Sequence, residues 1–129
     1  MTAPRVAVAP IAVTRVAPGR WKVRWRITNE GGALHLTQIA APHGKFRSAD
    51  REIDVSLPAG GSFDPQLEMA CAEPAGQEIE NTFLIITAEA EHRTWRILAR
   101  MRVRIDGDGV PHPTTERIDV QEVGFNGQR

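Results

Sequence analysis

Apolar and polar residues alternate along much of the chain with a period of two, not at helical spacing. From Arg20 to Thr28, the apolar Trp21, Val23, Trp25 and Ile27 are interleaved with Arg20, Lys22, Arg24, Arg26 and Thr28. Successive side chains of a strand point to opposite faces, so this stretch predicts a strand with its indoles inside and its cations in water. The pattern returns from Thr94 to Ile105. There Trp95, Ile97, Ala99, Met101, Val103 and Ile105 face one way, and Arg96, Leu98, Arg100, Arg102 and Arg104 the other. Just before it, Thr82 to Ala90 holds the unbroken run Phe83-Leu84-Ile85-Ile86, which suits a central strand with neighbours on both faces.

A tight turn near His92-Arg93 would join these last two segments into a hairpin. It would set Ala90 against Trp95, Ala88 against Ile97, Ile86 against Ala99 and Leu84 against Met101, with small facing large at the first three steps. Glu89 would then oppose Arg96, a cross-strand pair contributing about 0.2–1 kcal/mol. Weaker strands are expected at Val6 to Val16, Leu34 to Ala41, Glu52 to Leu57, Leu67 to Ala72 and Ile118 to Val123. Between them lie turn-forming residues such as Asn29-Glu30-Gly31-Gly32, Pro42-His43-Gly44, Pro58-Ala59-Gly60-Gly61 and Asp106-Gly107-Asp108-Gly109. Seven or eight short strands punctuated in this way predict an all-β, antiparallel, two-sheet β-sandwich. Residues 1–129 are expected to form a single domain, with 1–19 as N-terminal strand and lead-in and 110–129 as a tail with a possible last strand. The pattern leaves open whether the chain around Glu30-Gly31 is a same-sheet hairpin or an arch between sheets.

Composition narrows the function classes. With 129 residues, 41% of them hydrophobic and 25% charged, the chain can bury an ordinary core without disulfides or metals. Sixteen basic residues balance sixteen acidic ones, which argues against nucleic acid and anionic lipid as partners. The basic residues are arginines apart from Lys22 and Lys45, and guanidinium favours planar recognition of carboxylates. The single Cys71 cannot form an internal disulfide. Pro4, Arg5, Pro10 and Arg15 interrupt the N-terminal stretch where a signal peptide needs a continuous apolar core, and no segment is long and apolar enough to span a bilayer. A cytoplasmic location is therefore expected, although a secreted chain that has shed its leader would have the same composition.

Ile27-Thr28-Asn29-Glu30-Gly31-Gly32, followed by Leu34-His35-Leu36 and then Pro42-His43-Gly44, resembles the second and third strands of bacterial immunoglobulin-like and fibronectin type III-like modules. In those modules a strand ends in Thr-Asn, a glycine turn follows, and the next strand resumes with alternating leucines. The resemblance implies an immunoglobulin-like sandwich of the adhesive and accessory class, whose members mostly bind proteins or sugars or act as spacers. The chain departs from the antibody-type pattern, with one cysteine and no tyrosine.

Catalytic and metal signatures are weak. Cys71 shares parity with Leu67 and Met69 and is expected in the core, where a thiol is inert. His35, His43, His92 and His112 do not stand at the spacing that lets one strand or helix grip a metal with two imidazoles. His43 and His112 lie among turn formers, and a site built from loops would need them to converge. Asp106-Gly107-Asp108-Gly109 lacks the further oxygen ligands of a calcium loop and reads as a turn. Arg47-Ser48-Ala49-Asp50-Arg51 followed by Asp54-Val55-Ser56 looks like the signature of PilZ cyclic-dinucleotide receptors, but Gly60 falls one residue late and the two halves stand too close together. No enzyme, metal or cofactor is expected.

The feature with most functional content is the outward face of the expected hairpin. There Phe83, Ile85 and Leu98 would mix with Arg100 and Arg102, the composition enriched at interface centres, and Arg102 opposite Phe83 could stack on its ring. This predicts a non-catalytic interaction module that binds a protein partner or a second copy of itself. The bland alternative is that the C-terminal segment, with Ile118, Val120, Val123 and Phe125, folds back over the face. The alternative function is a small-ligand or carbohydrate-binding module, for which Trp21, Trp25 and Trp95 would be the stacking platforms. An enzyme would require His43, Asp50, Asp106 and His112 to meet in one pocket.

Overall fold

The computed structural model describes residues 3–124. They form nine antiparallel strands and no helix: β1 (Val6–Ala17), β2 (Arg20–Asn29), β3 (Leu34–His43), β4 (Phe46–Leu57), β5 (Ser62–Phe63), β6 (Gln66–Ala70), β7 (Glu78–Ala90), β8 (Arg93–Ile105) and β9 (Pro111–Val123). Hydrogen bonding runs in the order β1-β2-β6-β4-β3-β7-β8-β9, with β5 beside β2. Instead of two separate sheets of seven or eight strands, the strands join in one sheet that curls until β1 and β9 approach each other.

The curl encloses one core, and strict alternation fills it. On β2, Trp21, Val23, Trp25 and Ile27 are buried while Arg20, Lys22, Arg24 and Arg26 are exposed. On β8 the odd-numbered residues from Trp95 to Ile105 are all buried. Each fully buried Ile or Leu contributes about 1.5–3 kcal/mol relative to an exposed one, so this parity is strongly enforced. The Trp25 and Phe46 rings meet edge to face with centroids 6.4 Å apart.

The β7–β8 hairpin forms, but its register lies two residues from the expected one. Glu91 (φ 54°) and His92 (φ 65°) are both left-handed, as a two-residue type I′ turn requires, so the hairpin closes at Ala90↔Arg93. Ala88 therefore faces Trp95, Ile86 faces Ile97, Leu84 faces Ala99, and Glu89 faces Thr94 instead of Arg96. A shift of two preserves the inward parity, which is why the core residues are still those expected. Asn81 (φ 59°) sits in a bulge between Ile79↔Val103 and Thr82↔Met101, and this lets both Ile79 and Thr82 turn inward. The buried Thr82 hydroxyl donates to the Met101 carbonyl at 2.8 Å.

Two connections settle questions the sequence left open. β2 and β3 are not paired, so residues 30–33 are an arch. Asn29, 1% exposed, ties the arch down: its Nδ2 donates to the Gly32, Leu57 and Pro58 carbonyls and its Oδ1 accepts from Gly31 N–H. The expected C-terminal tail is a thirteen-residue strand starting at Pro111. Prolines are tolerated there because β9 ends the strand order and needs ladder bonds on one side only.

Candidate binding face

Phe83 and Ile85 on β7 and Leu98 and Arg100 on β8 turn outward and are half-buried, and Arg102 is exposed. The register sets Ile85 across from Leu98 and Phe83 across from Arg100. Arg102, expected opposite Phe83, lies two residues further along β8. The cation–π contact made among the described residues is elsewhere, with the Arg15 guanidinium 5.9 Å from the Trp21 ring.

β9 runs beside β8 as the next strand of the sheet, pairing Arg100 with Arg117 and Leu98 with Asp119. Its Ile118 and Val120 pack toward the core. Residues 111–123 therefore extend the outer face of β8 sideways without lying over it. Phe125 falls outside the described residues.

Acidic residues frame the arginines. Glu116 Oε2 lies 3.1 Å from Arg102 Nε and its Oε1 lies 3.9 Å from Arg100 Nε, while Glu78 Oε1 is 3.6 Å from Arg102 Nη1. Arg100 Nε is buried and makes no hydrogen bond. A concavity of about 340 Å³ lined by Glu78, Arg102, Arg104, His112, Thr114 and Glu116 borders this end of the face. Period-two reading missed Glu78 and Glu116. Glu116 is a bulge residue, opposite the step between Arg100↔Arg117 and Met101↔Thr115, and Glu78 lies beyond the Asn81 bulge, so simple parity misassigns both.

The other candidate groups do not assemble into a catalytic centre. Asp106 caps its own turn. Its Oδ1 accepts the N–H groups of Asp108 (2.8 Å) and Val110 (2.9 Å), and its Oδ2 lies 2.7 Å from His112 Nε2. The His112 hydrogen bond, helped by these backbone donors, holds the Asp106 carboxyl below the usual carboxylate range. His43 Nδ1 accepts from Lys45 N–H at the β3–β4 turn. His43 and His112 share an end of the sheet, but β7 and β8 separate their strands. Asp50 lies on β4, and no cluster of three or more potential metal ligands occurs among the described residues. Cys71 is buried, and desolvation pushes its thiol pKa up, away from the nucleophilic form. Asp54 and Ser56 bind His35, at 2.8 and 3.1 Å, and neither lines the cavity that holds Arg47 and Arg51, so the two halves of the PilZ-like signature do not converge. Trp21, Trp25 and Trp95 are 5%, 0% and 7% exposed, which leaves no indole face for a sugar to stack on.

Comparison with protein-family profiles, curated proteins and solved structures finds no match to this chain.

Proposed function

We propose that this protein is a non-catalytic interaction module whose partner docks on the outer face of β7 and β8, and that the partner this face fits best is a second copy of the chain. The observation that carries the reading is the apolar island of Phe83, Ile85 and Leu98, which no described element covers. Apolar side chains ringed by arginine are the composition of an interface centre. A two-fold interface must be self-complementary, and Arg100 and Arg102 stand beside Glu78 and Glu116 in one patch, so each copy offers both signs to the other.

The same reading takes the curled sheet as an immunoglobulin-like sandwich. Its support is the strand order: β1-β2-β6 on one side and β4-β3-β7-β8-β9 on the other, linked by the single pair Arg47↔Ala70. This grouping follows the A-B-E and C′-C-F-G strands of such modules, with β9 added beyond the last.

A dilution series of amide NMR spectra tests the docking face. The amides of residues 83–85 and 98–102 should shift with protein concentration while those of β1 and β2 stay fixed. Concentration-independent spectra, or shifts centred on β1, would overturn the assignment.

A further inference from the structure

β4 carries more residues than β3 can pair, and it meets its other neighbour, β6, at Arg47↔Ala70 alone. Ile39 pairs with Arg51 and Ala41 with Ser48, so Ala49 and Asp50 together face Ala40; Ile53 and Asp54 likewise face Thr37. Each two-against-one mismatch bends a strand locally. β6 meanwhile stays in regular register with β2, from Arg20↔Ala70 to Arg24↔Gln66. Between the diverging strands lies a notch of about 610 Å³, within the roughly 300–1,000 Å³ of small-molecule sites.

Three guanidinium groups line it, from Arg20, Arg47 and Arg51. Arg51 is held by donating from Nη1 to the Gln66 carbonyl at 2.8 Å, and Arg20 Nε lies 3.3 Å from Glu68 Oε2. Each guanidinium has five N–H donors, so both keep donors free after these contacts. Arg47 is exposed and has no ion-pair partner among the described residues. Asp50 and Glu68 each add a carboxylate to the wall, Glu68 beside Arg20, and Ala49 and Ala70 give it a small apolar surface.

We propose that this notch binds a small organic oxyanion, a carboxylate or a phosphate ester, that also carries a hydroxyl. Arg47 and Arg51 present forked donors matched to a planar or tetrahedral oxyanion. Asp50 and Glu68 repel a second anionic group, Asp50 accepts a hydrogen bond from a hydroxyl, and the carbon body lies against Ala49 and Ala70. The site lies on β4 and β6, away from the outer face of β7 and β8, and stands or falls independently of it.

The test is an amide NMR titration at constant ionic strength with two matched pairs of probes, each with one anionic group: lactate against propionate, and glycerol 3-phosphate against propyl phosphate. The site predicts saturable shifts confined to residues 47–51 and 66–70, with the hydroxylated member of the preferred pair binding several-fold more tightly. The pair that binds more tightly identifies the oxyanion. Arg47→Ala should weaken binding about tenfold, Asp50→Asn should abolish the preference for the hydroxyl, and Phe83→Glu should change nothing. If Arg47→Ala does not fold, Arg47→Lys keeps the charge without the fork and should still bind more weakly than the wild type. Absence of saturable shifts with both pairs, shifts reproduced by sodium chloride, or binding unaffected by the Arg47 variants would overturn the proposal.

Discussion

Arg47 and Ala70 form the single paired position between β4 and β6, and so join the two halves of the hydrogen-bonded strand order. Other neighbouring strands share longer ladders, as β7 and β8 do over eleven pairs. Local opening should therefore begin at this seam. In hydrogen exchange, the amides of Ala49, Asp50 and Glu68 should exchange orders of magnitude faster than those of Ile86 and Ile97. Equal protection at the two places would contradict the seam.

Asn29 satisfies three carbonyls from a buried position, and no apolar residue can replace that. Asn29→Leu would take this donor from the Leu57 and Gly32 carbonyls, while Pro58 keeps the Gly61 N–H, at about 1–3 kcal/mol for a buried unsatisfied group. Urea denaturation should show a loss in that range or above. A loss below about 0.5 kcal/mol would mean that the arch does not depend on this side chain.

Glu91 and His92 hold left-handed backbone that costs an ordinary L-residue roughly 1–2 kcal/mol. The double replacement Glu91→Asn and His92→Gly supplies the residues that a type I′ turn favours. It should raise the melting temperature by several degrees without changing the spectrum of the core. A lower melting temperature would show that the turn is not type I′ in solution.

How much of this was legible in the sequence depended on where alternation stayed regular. β2 and β8 keep strict parity over their buried residues, so their buried sets could be read directly. The β7–β8 register was not legible, because Glu91 and His92 carry none of the Gly or Asn signal of the turn they make. β4 was read only from Glu52 because residues 47–52 are largely exposed, with no buried face to betray a strand. The notch was invisible for the same reason: it arises from bulges, which reset parity and leave no periodic trace. Ile118 to Val123 was read as a strand, but Pro111 and Pro113 hid the first half of β9, since proline argues against a strand unless its place at a sheet edge is known.

Asp106 has its pKa depressed by the His112 hydrogen bond and by backbone donors. A carboxylate whose folded pKa lies below its unfolded value of about 3.9 stabilises the protein above that value, and the contribution disappears as pH falls through the folded pKa. Asp106→Asn should therefore be less stable than the wild type at neutral pH, and the gap should close as the pH drops below about 4. Parallel urea titrations at several pH values measure it. A gap that stays constant into strong acid would contradict the assigned role of the carboxylate.

The proposed docking face makes Phe83, Ile85 and Leu98 the centre of a contact between two copies of the chain. Sedimentation velocity over a wide concentration range tests it, using the wild type, Phe83→Glu, and Ile11→Glu at an exposed apolar position on β1 as control. The wild type and the Ile11 variant should sediment as dimers at high concentration, and Phe83→Glu as a monomer with an unchanged melting temperature. A wild type that stays monomeric throughout, or a Phe83→Glu variant that dimerises as well as the wild type, would contradict the claim.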